Sequence, residues 1–308
     1  MSEFAGHVSD YLRMRRALGF KLEFAGQVLP QLVAYLDAAG ATTLTVDLAV
    51  AWAQLPQGVH PVTWNHRLGA VRGFAAYLKT IDAATQIPPA DVFAGQGPRP
   101  SPYLWSDSDI VRLVQAAGDL KPKLRGATLR AVLGLLAVSG MRIGEVLAVD
   151  CDDLDVEQAI LTVAEGKYHR QRLIPLHPST LEALSSYATL RDGHPRATPT
   201  AMFVSWRDGT RLSYGAVAYS YKQLTDRLAL RTPSGRPPRI HDLRHAFAVR
   251  TLIDWHRAGH DIHRRMPQLS DYLGHVNPEG TYWYLTACPE LMGLAAQRLE
   301  APPQAGLT

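Results

Sequence analysis

The stretch from residue 235 to residue 284 decides how the second half of this chain folds. It reads GRPPRIHDLRHAFAVRTLIDWHRAGHDIHRRMPQLSDYLGHVNPEGTYWY. Apolar residues recur in it at three- and four-residue spacing, which predicts helices over residues 243–255 and 266–273. His241 and Arg244 are three residues apart, so the mouth of the first helix presents both on one face. The stretch is therefore predicted to be two helices that carry polar side chains at their ends.

Four side chains of this stretch suit attack on a phosphodiester without a metal ion: His241, Arg244, His275 and Tyr284. A free phenol has a pKa of about 10 and is a weak nucleophile at neutral pH. Cations that bind the phosphate and stabilise its charge make the attack possible. The chain has twelve tyrosines, and an aromatic core stripe over residues 282–284 is the structural alternative for Tyr284.

The histidines of the same stretch also have a metal-binding interpretation. His241 with His245, and His256 with His260, have the i,i+4 spacing of helical zinc ligands. The HExxH motif is absent, however, no cysteine is near, and the many arginines would repel a cation. We therefore predict no metal site and no cofactor.

Two cations further upstream are candidates for the same pocket. Arg142 follows an apolar run in SGMRIGE, and Lys167 lies at the predicted hairpin tip EGKYHR. An unpaired buried charge is costly, so Arg142 either pairs with Glu145 or faces a phosphate. Lys167 is either a solvated turn residue or an acid that protonates a departing 5′ oxygen.

Composition places the chain among globular proteins. It has 308 residues, 46% of them hydrophobic and 19% charged, which fits two domains with sizeable cores. No apolar run is long enough for a transmembrane helix, and the N-terminus lacks a secretory signal pattern. Only two cysteines are present, far apart in sequence. These features predict a cytoplasmic protein without a membrane partner.

The distribution of charge points to an anionic partner. The net charge is only +4, and residues 1–95 are balanced, with seven basic and seven acidic residues. Residues 231–265 instead hold eight arginines and three aspartates, with no lysine or glutamate. Arginine binds phosphate through a two-pronged fork, so we expect phosphate contacts here, from Arg236 and Arg239 among others. A solvated basic helix is the alternative.

The first ninety residues are predicted to be wholly helical. Helices are expected over residues 4–18, 23–39, 46–54 and 63–79, with Thr45 as the cap of the third. Residues 87–102 contain five prolines and two glycines and are predicted to be a linker. The predicted domains are thus 1–86 and 103–308.

The second domain is predicted to be mainly helical with a small antiparallel sheet inserted. Apart from the two helices above, we expect helices over 106–117, 129–138, 180–190 and 216–230. Strands are expected over 149–152, 159–164 and 171–176, with a further short strand over 201–204. The fold class is therefore mainly α with a small β-sheet.

The chain resembles the tyrosine recombinase family, also called phage integrases, in the order of five features. These are SGMRIGE, the hairpin lysine, HDLRH, LGH and the tyrosine. The resemblance runs from the linker to Tyr284, and the helical first domain is similar to the family's core-binding domain. It implies that Arg142 and Arg244 clamp the phosphate, Lys167 is the general acid, and His241 and His275 flank the phosphate. Tyr284 is then the nucleophile. The segment TYWYLTACPELM is similar to transposon-borne members.

The resemblance implies an enzyme that cleaves and rejoins double-stranded DNA with strand exchange, as in integration or transposition of a mobile element. It implies four protomers on two sites, with companion recombinases as further candidate partners. Base contacts are expected from the fourth helix, through Asn65, Arg67 and Arg72. The alternatives are a type IB topoisomerase, a non-catalytic DNA-binding regulator and a metal-dependent hydrolase.

Overall fold

The computed structural model describes residues 3–93, 101–164, 171–274 and 281–282. Lys167, His275 and Tyr284 therefore lie outside the described residues. The chain divides into two compact units, Met1–Pro100 and Ser101–Thr308. This division falls inside the segment predicted to be a linker, whose bounds stay a prediction.

The first unit contains the four predicted helices. They are α1 (Glu3–Ala17), α2 (Glu23–Ala38), α3 (Val46–Ala53) and α4 (Pro61–Leu78). The hydroxyl of Thr45 accepts the backbone N–H of Leu48 at 3.3 Å, so it caps α3 as expected. The apolar faces meet in one core, where Trp52 and Phe74 are among the largest fully buried side chains.

Part of the predicted linker packs against this first unit. Phe93 is only 9% exposed and belongs to the same core, with its ring 5.7 Å from that of Trp64. Apolar burial of this kind is favourable in proportion to the area removed from water. The chain therefore remains attached to the first unit up to residue 93.

The second unit is built around a buried central helix. Its helices are α5 (Asp107–Gly118), α6 (Lys123–Ser139), α7 (Ile143–Ala148), α8 (Pro178–Asp192), α9 (Tyr214–Arg227), α10 (His241–Arg257) and α11 (Ile262–Leu273). The helix predicted over 129–138 lies within α6. The observed helix begins about a turn and a half earlier than predicted. Helices α5, α8 and α10 pack against α6.

A three-stranded antiparallel sheet is inserted between α7 and α8. Its strands are β1 (Leu154–Asp155), β2 (Ile160–Ala164) and β3 (Gln171–Pro175), in the order β1-β2-β3. Leu161 pairs with Ile174, and both side chains are buried in the core. The predicted antiparallel pairing of the last two strands is confirmed.

Two of the predicted strands are wrong. Residues 149–152 do not form a strand, because a short 3-10 helix begins at Cys151, and the carboxylate of Asp153 accepts the N–H of Asp150 at 2.8 Å. Consecutive aspartates favour such turns over a sheet ladder. Residues 201–204 form only isolated bridges, from Ala201 to Asp150 and from Val204 to Arg211.

Helices α10 and α11 share a small core of their own. Val249, Leu252, Met266 and Leu269 are among its buried members. Helix α10 also packs against α6, so its first turn lies beside the end of that helix. This packing brings the start of α10, the end of α6 and the end of α11 together.

Candidate active site

The turn that follows α6 requires a glycine. Gly140 ends α6 with φ of +62°, a left-handed conformation that residues with a Cβ avoid. A Cβ at this position would collide with the ring of Phe247 and lie 3.1 Å from Cδ2 of Leu273. The turn therefore brings the backbone after α6 close to both α10 and α11.

Arg142 begins α7 and is held from three directions. Its backbone N–H donates to Oε2 of Glu145 at 2.7 Å, and its Nη1 donates to Oε1 of the same carboxylate at 2.6 Å. Its Nη2 donates to the carbonyl of Gly274 at 2.6 Å. The side chain is 41% exposed. The pairing with Glu145 is thus present, and it orients a guanidinium that still reaches the surface.

Arg244 is almost fully buried at the centre of the site. It is 1% exposed, and its Nη1 donates to the carbonyl of Gly140 at 2.8 Å. Its Nη2 donates to the carbonyl of Leu273 at 2.6 Å. Burying a guanidinium is costly unless its donors are satisfied, and these carbonyls offset part of that cost. Arg244 therefore connects the end of α6 to the end of α11.

Arg172 is a third arginine in this place, and the sequence reading missed it. It lies on β3, its side chain is 11% exposed, and its Nη2 donates to Oε2 of Glu145 at 2.5 Å. Its Nη1 donates to the carbonyl of Leu273 at 3.1 Å. Alternate residues of a strand share a face, so Arg172 lies on the same face as the buried Ile174. A charged residue on the inward face of a strand was the available signal.

The folded protein favours the charged form of the Glu145 carboxylate. Burial alone would raise the pKa of Glu145, but the N–H of Arg142 and the guanidinium of Arg172 outweigh burial and lower it below the ordinary value. Within the described ranges, the guanidinium groups of Arg142 and Arg172 contact this carboxylate, and that of Arg244 shares the Leu273 carbonyl with Arg172, so these four side chains carry an excess of positive charge. Such an excess favours an anion.

The C-terminus of α11 is where the three arginines converge. They donate to the carbonyls of Leu273 and Gly274, the last groups of the helix, which carry the negative end of its dipole. Gly274 caps the helix with φ of +67°, so the predicted end of this helix is confirmed. The next residue in the chain is His275, directly after these carbonyls.

The other predicted histidine starts α10. His241 is exposed and is the first residue of that helix, one turn before Arg244. The adjacent Asp242 is 2% exposed and accepts the backbone N–H groups of Tyr103 and Arg239, at 3.2 and 2.9 Å. The sequence reading also missed this aspartate, which fixes the first turn of α10.

A tyrosine of the described ranges lies near two of these arginines. Burial raises the pKa of Tyr272, while the nearby Arg172 and Arg244 lower it by a smaller amount. Its ring stacks on Phe247 with centroids 5.6 Å apart. A phenol with a raised pKa and a packed ring is a poor nucleophile at neutral pH. Tyr272 is therefore a structural residue beside the site.

Two of the predicted DNA contacts in the first unit have other partners. Arg67 is 9% exposed, its guanidinium lies 3.8 Å from the ring centre of Trp52, and it donates to the carbonyl of that residue at 3.2 Å. Arg72 donates to the carbonyls of Pro88 and Pro89, at 2.8 and 2.7 Å. Both arginines thus stabilise the packing of their own unit, and their contact with bases stays a prediction. Asn65 is half-buried.

The two predicted DNA contacts of the second unit precede α10. Arg236 is exposed, and its Nε donates to the hydroxyl of Ser234 at 3.2 Å. Arg239 forms an ion pair with the buried Asp242 at 2.8 Å, while its side chain remains 48% exposed. Both side chains therefore reach the surface of the second unit.

The part of the chain that the structure describes has neither a metal-binding cluster nor a membrane-spanning helix. It holds no group of three or more histidine, cysteine, aspartate or glutamate side chains arranged for a metal ion. None of its helices combines the length and the apolar character that crossing a bilayer requires.

Comparison with known proteins gives a consistent result. The Phage integrase family matches residues 106–290. The protein y4rB of Sinorhizobium fredii, an integrase/recombinase by its name, is 40% identical over 97% of this chain and 98% of its own length. The tyrosine recombinase XerC of Xanthomonas campestris is 31% identical over 77% of this chain and 68% of its own length.

Solved structures share the fold at lower identity. An integrase of the transposon Tn1549, in complex with transposon right end DNA, has a TM-score of 0.65 at 16% identity, covering 96% of this chain and 99% of the other. A lambda integrase dimer bound to a core site has a TM-score of 0.60 at 18% identity, covering 91% and 76%. The solved structures show the shared fold, while the family match and the curated relatives establish the identity: the chain belongs to the phage integrase family and is a site-specific tyrosine recombinase.

Proposed function

We propose that this recombinase cleaves double-stranded DNA with Tyr284 and rejoins it through a 3′-phosphotyrosyl intermediate. One observation carries the proposal: Arg142 and Arg244, far apart in sequence, donate to adjacent carbonyls at the end of α11, directly before His275. A pocket of fixed cations at this point suits a scissile phosphate, whose charge grows during in-line attack.

Six residues take part in the proposed reaction: Arg142, Lys167, His241, Arg244, His275 and Tyr284. Arg142, Arg244 and His275 bind the non-bridging oxygens of the phosphate. The oxygen of Tyr284 forms a bond to phosphorus while the bond to the 5′ oxygen breaks, and Lys167 gives that oxygen a proton. The phosphotyrosyl bond conserves the energy of the phosphodiester, so rejoining needs no ATP.

The position of His241 supports a role at the entrance of the site. It is exposed and lies one turn before Arg244 on the same face of α10. From there it either accepts the proton of Tyr284 or holds the phosphate. Glutamine keeps a hydrogen-bonding side chain but cannot take up that proton. A large loss of rate in His241→Gln therefore indicates proton transfer, and a small loss indicates phosphate binding.

DNA is the substrate that this proposal implies, and phosphate contacts give most of its affinity. Arg236 and Arg239 reach the surface before α10 and are proposed to contact the backbone. We further propose that four protomers assemble on two duplexes, with companion recombinases as candidate partners. The proposed setting is the movement of a mobile element within the cytoplasm.

The experiment begins by finding a substrate. The Tyr284→Phe variant is used to select a binding site from duplexes of random sequence, and that site is then prepared with a nick beside the scissile phosphate. Cleavage frees the short fragment between the scissile phosphate and the nick, which diffuses away and cannot be rejoined, so a covalent protein–DNA adduct accumulates and survives denaturation. We expect the unaltered protein to form this adduct in EDTA and Tyr284→Phe to bind DNA without forming it.

Two tyrosines serve as matched controls. Tyr282→Phe changes an exposed neighbour in the sequence, and Tyr272→Phe changes the phenol beside Arg172 and Arg244. Both variants are expected to form the adduct. If Tyr284→Phe still forms an adduct, or if Tyr272→Phe abolishes it, the assignment of the nucleophile is wrong.

A further inference from the structure

We infer that Arg172 is a positioning residue that neutralises Glu145 and so leaves the charge of Arg142 available to the phosphate. The inference rests on the proposed function, because it concerns the same pocket. It adds to the six residues a cation that does not bind DNA itself.

The first observation is that one carboxylate lies between two arginines. Glu145 receives Nη1 of Arg142 on one oxygen at 2.6 Å and Nη2 of Arg172 on the other at 2.5 Å. The side chains of Glu145 and Arg172 are 13% and 11% exposed, whereas that of Arg142 is 41% exposed. The buried pair is therefore Glu145 with Arg172, and Arg142 is the partner that faces outward.

The difference in burial between Arg172 and Arg142 has an electrostatic consequence. Charges interact more strongly where water is excluded, so Arg172 is well placed to balance the carboxylate. Without Arg172, the guanidinium of Arg142 would be the main partner that balances the negative charge of Glu145 within the described ranges. The positive charge that Arg142 presents to an anion would then be reduced.

The second observation joins Arg172 to the other phosphate-binding arginine. The carbonyl of Leu273 accepts Nη1 of Arg172 at 3.1 Å and Nη2 of Arg244 at 2.6 Å. A carbonyl oxygen has two lone pairs and can accept both donors. The fork of Arg172 thus connects the carboxylate that orients Arg142 with the carbonyl that orients Arg244, through two separate nitrogens of one planar guanidinium.

The test compares adduct formation on two nicked duplexes, both of the selected sequence and both incubated with the full-length protein. One carries the ordinary scissile phosphate, and the other carries a methylphosphonate, in which a methyl group replaces a charged oxygen. On the phosphate, Arg172→Ala is expected to slow the reaction on the order of tenfold, less than the loss of a direct donor. On the neutral methylphosphonate the slowing is expected to shrink to about threefold or less, because less charge has to be balanced.

Two further variants separate charge balance from folding. Arg211→Ala removes an arginine with a similar set of contacts, to the carbonyls of Leu147 and Val149 and to Asp150, outside the pocket. It is expected to react normally on both substrates. Adding Glu145→Gln to Arg172→Ala removes the charge that needs balancing and is expected to restore part of the rate on the phosphate.

The outcomes are distinct. If the unaltered protein forms no adduct, the proposed function fails before Arg172 is tested. If the unaltered protein reacts while Arg172→Ala is equally slow on both substrates and Glu145→Gln restores nothing, Arg172 is only structural and the inference is overturned. It is also overturned if Arg172→Ala reacts at the normal rate. The variant that combines Arg172→Ala with Glu145→Gln distinguishes charge balance from a structural role even where Arg172→Ala alone folds poorly.

Discussion

Replacement of Gly140 by alanine tests how tightly the site depends on one turn. Gly140 adopts φ of +62°, and its carbonyl accepts Nη1 of Arg244. An added Cβ would meet the ring of Phe247 and Cδ2 of Leu273, the residue whose carbonyl also receives Arg172. We therefore expect Gly140→Ala to disturb both the packing and the arginine contacts.

The magnitude follows from two contributions. Alanine in a left-handed conformation costs about 1–2 kcal/mol relative to glycine. Forcing a methyl group into a packed contact costs typically about 1–3 kcal/mol more. The sum, about 2–5 kcal/mol, corresponds to a lowering of the melting temperature on the order of 10 °C for a unit of this size. Residue 140 contributes only its backbone carbonyl to the site, so any loss of activity beyond unfolding reports on the arginines.

The assay uses thermal unfolding and adduct formation together, with Gly134→Ala as the matched control. Gly134 lies in the same helix, has open space where a Cβ would be, and has no positive φ. Alanine there is expected to stabilise the helix by about 0.5–1 kcal/mol. The reasoning is refuted if Gly140→Ala melts at or above the temperature of Gly134→Ala, or if it forms the adduct at the normal rate at a temperature where it is folded.

Three further predictions concern the buried charges. Because the pKa of Glu145 is lowered in the folded protein, its stabilising effect is complete above the ordinary value of 4.5 and is lost as the pH falls from there through the lower folded pKa. Urea unfolding of the unaltered protein and of Glu145→Gln is therefore expected to differ most at neutral pH and to converge in acid. Arg67→Ala is expected to lower the free energy of unfolding by about 1–3 kcal/mol, because it removes the stacking on Trp52 and a buried hydrogen bond; an unchanged melting curve would contradict this. Asp242→Ala is expected to cost about 1–3 kcal/mol in chemical denaturation, since it removes the buried acceptor of the backbone N–H groups of Tyr103 and Arg239, and a loss below about 0.5 kcal/mol would rule out its role in fixing α10.

Helices with a clear apolar period and an obvious cap were predictable from the sequence. The cap at Thr45 and the stop at Gly274 were each confirmed, because both signals are local. The strand over residues 149–152 was wrong since the turn preference of consecutive aspartates outweighed the apolar residues before them. Helix α7 was missed because six residues are too few to display a period.

The site was predictable only where residue type and order carry the information. Arg142 and Arg244 were identified from their motifs, and the ion pair between Arg142 and Glu145 was foreseen as an alternative. Arg172 was not identified, since its contacts to Glu145 and Leu273 join residues that are 27 and 101 positions away. Such contacts depend on how the sheet packs against α11, which no local pattern records.

The small core shared by α10 and α11 has a consequence for the lifetime of the assembled pocket. Segments with few apolar neighbours open more often than the main core, without unfolding of the whole protein. If α11 detaches, Leu273 and Gly274 leave with it, and all three guanidinium groups lose an acceptor in a single event. We expect hydrogen exchange to detect this event as faster exchange of the α11 amides than of the α6 amides, and bound DNA to slow the α11 exchange selectively. The recombinase would then have a resting form that is folded but does not cleave DNA, with strand cleavage confined to the state in which a bound duplex holds α11 in place.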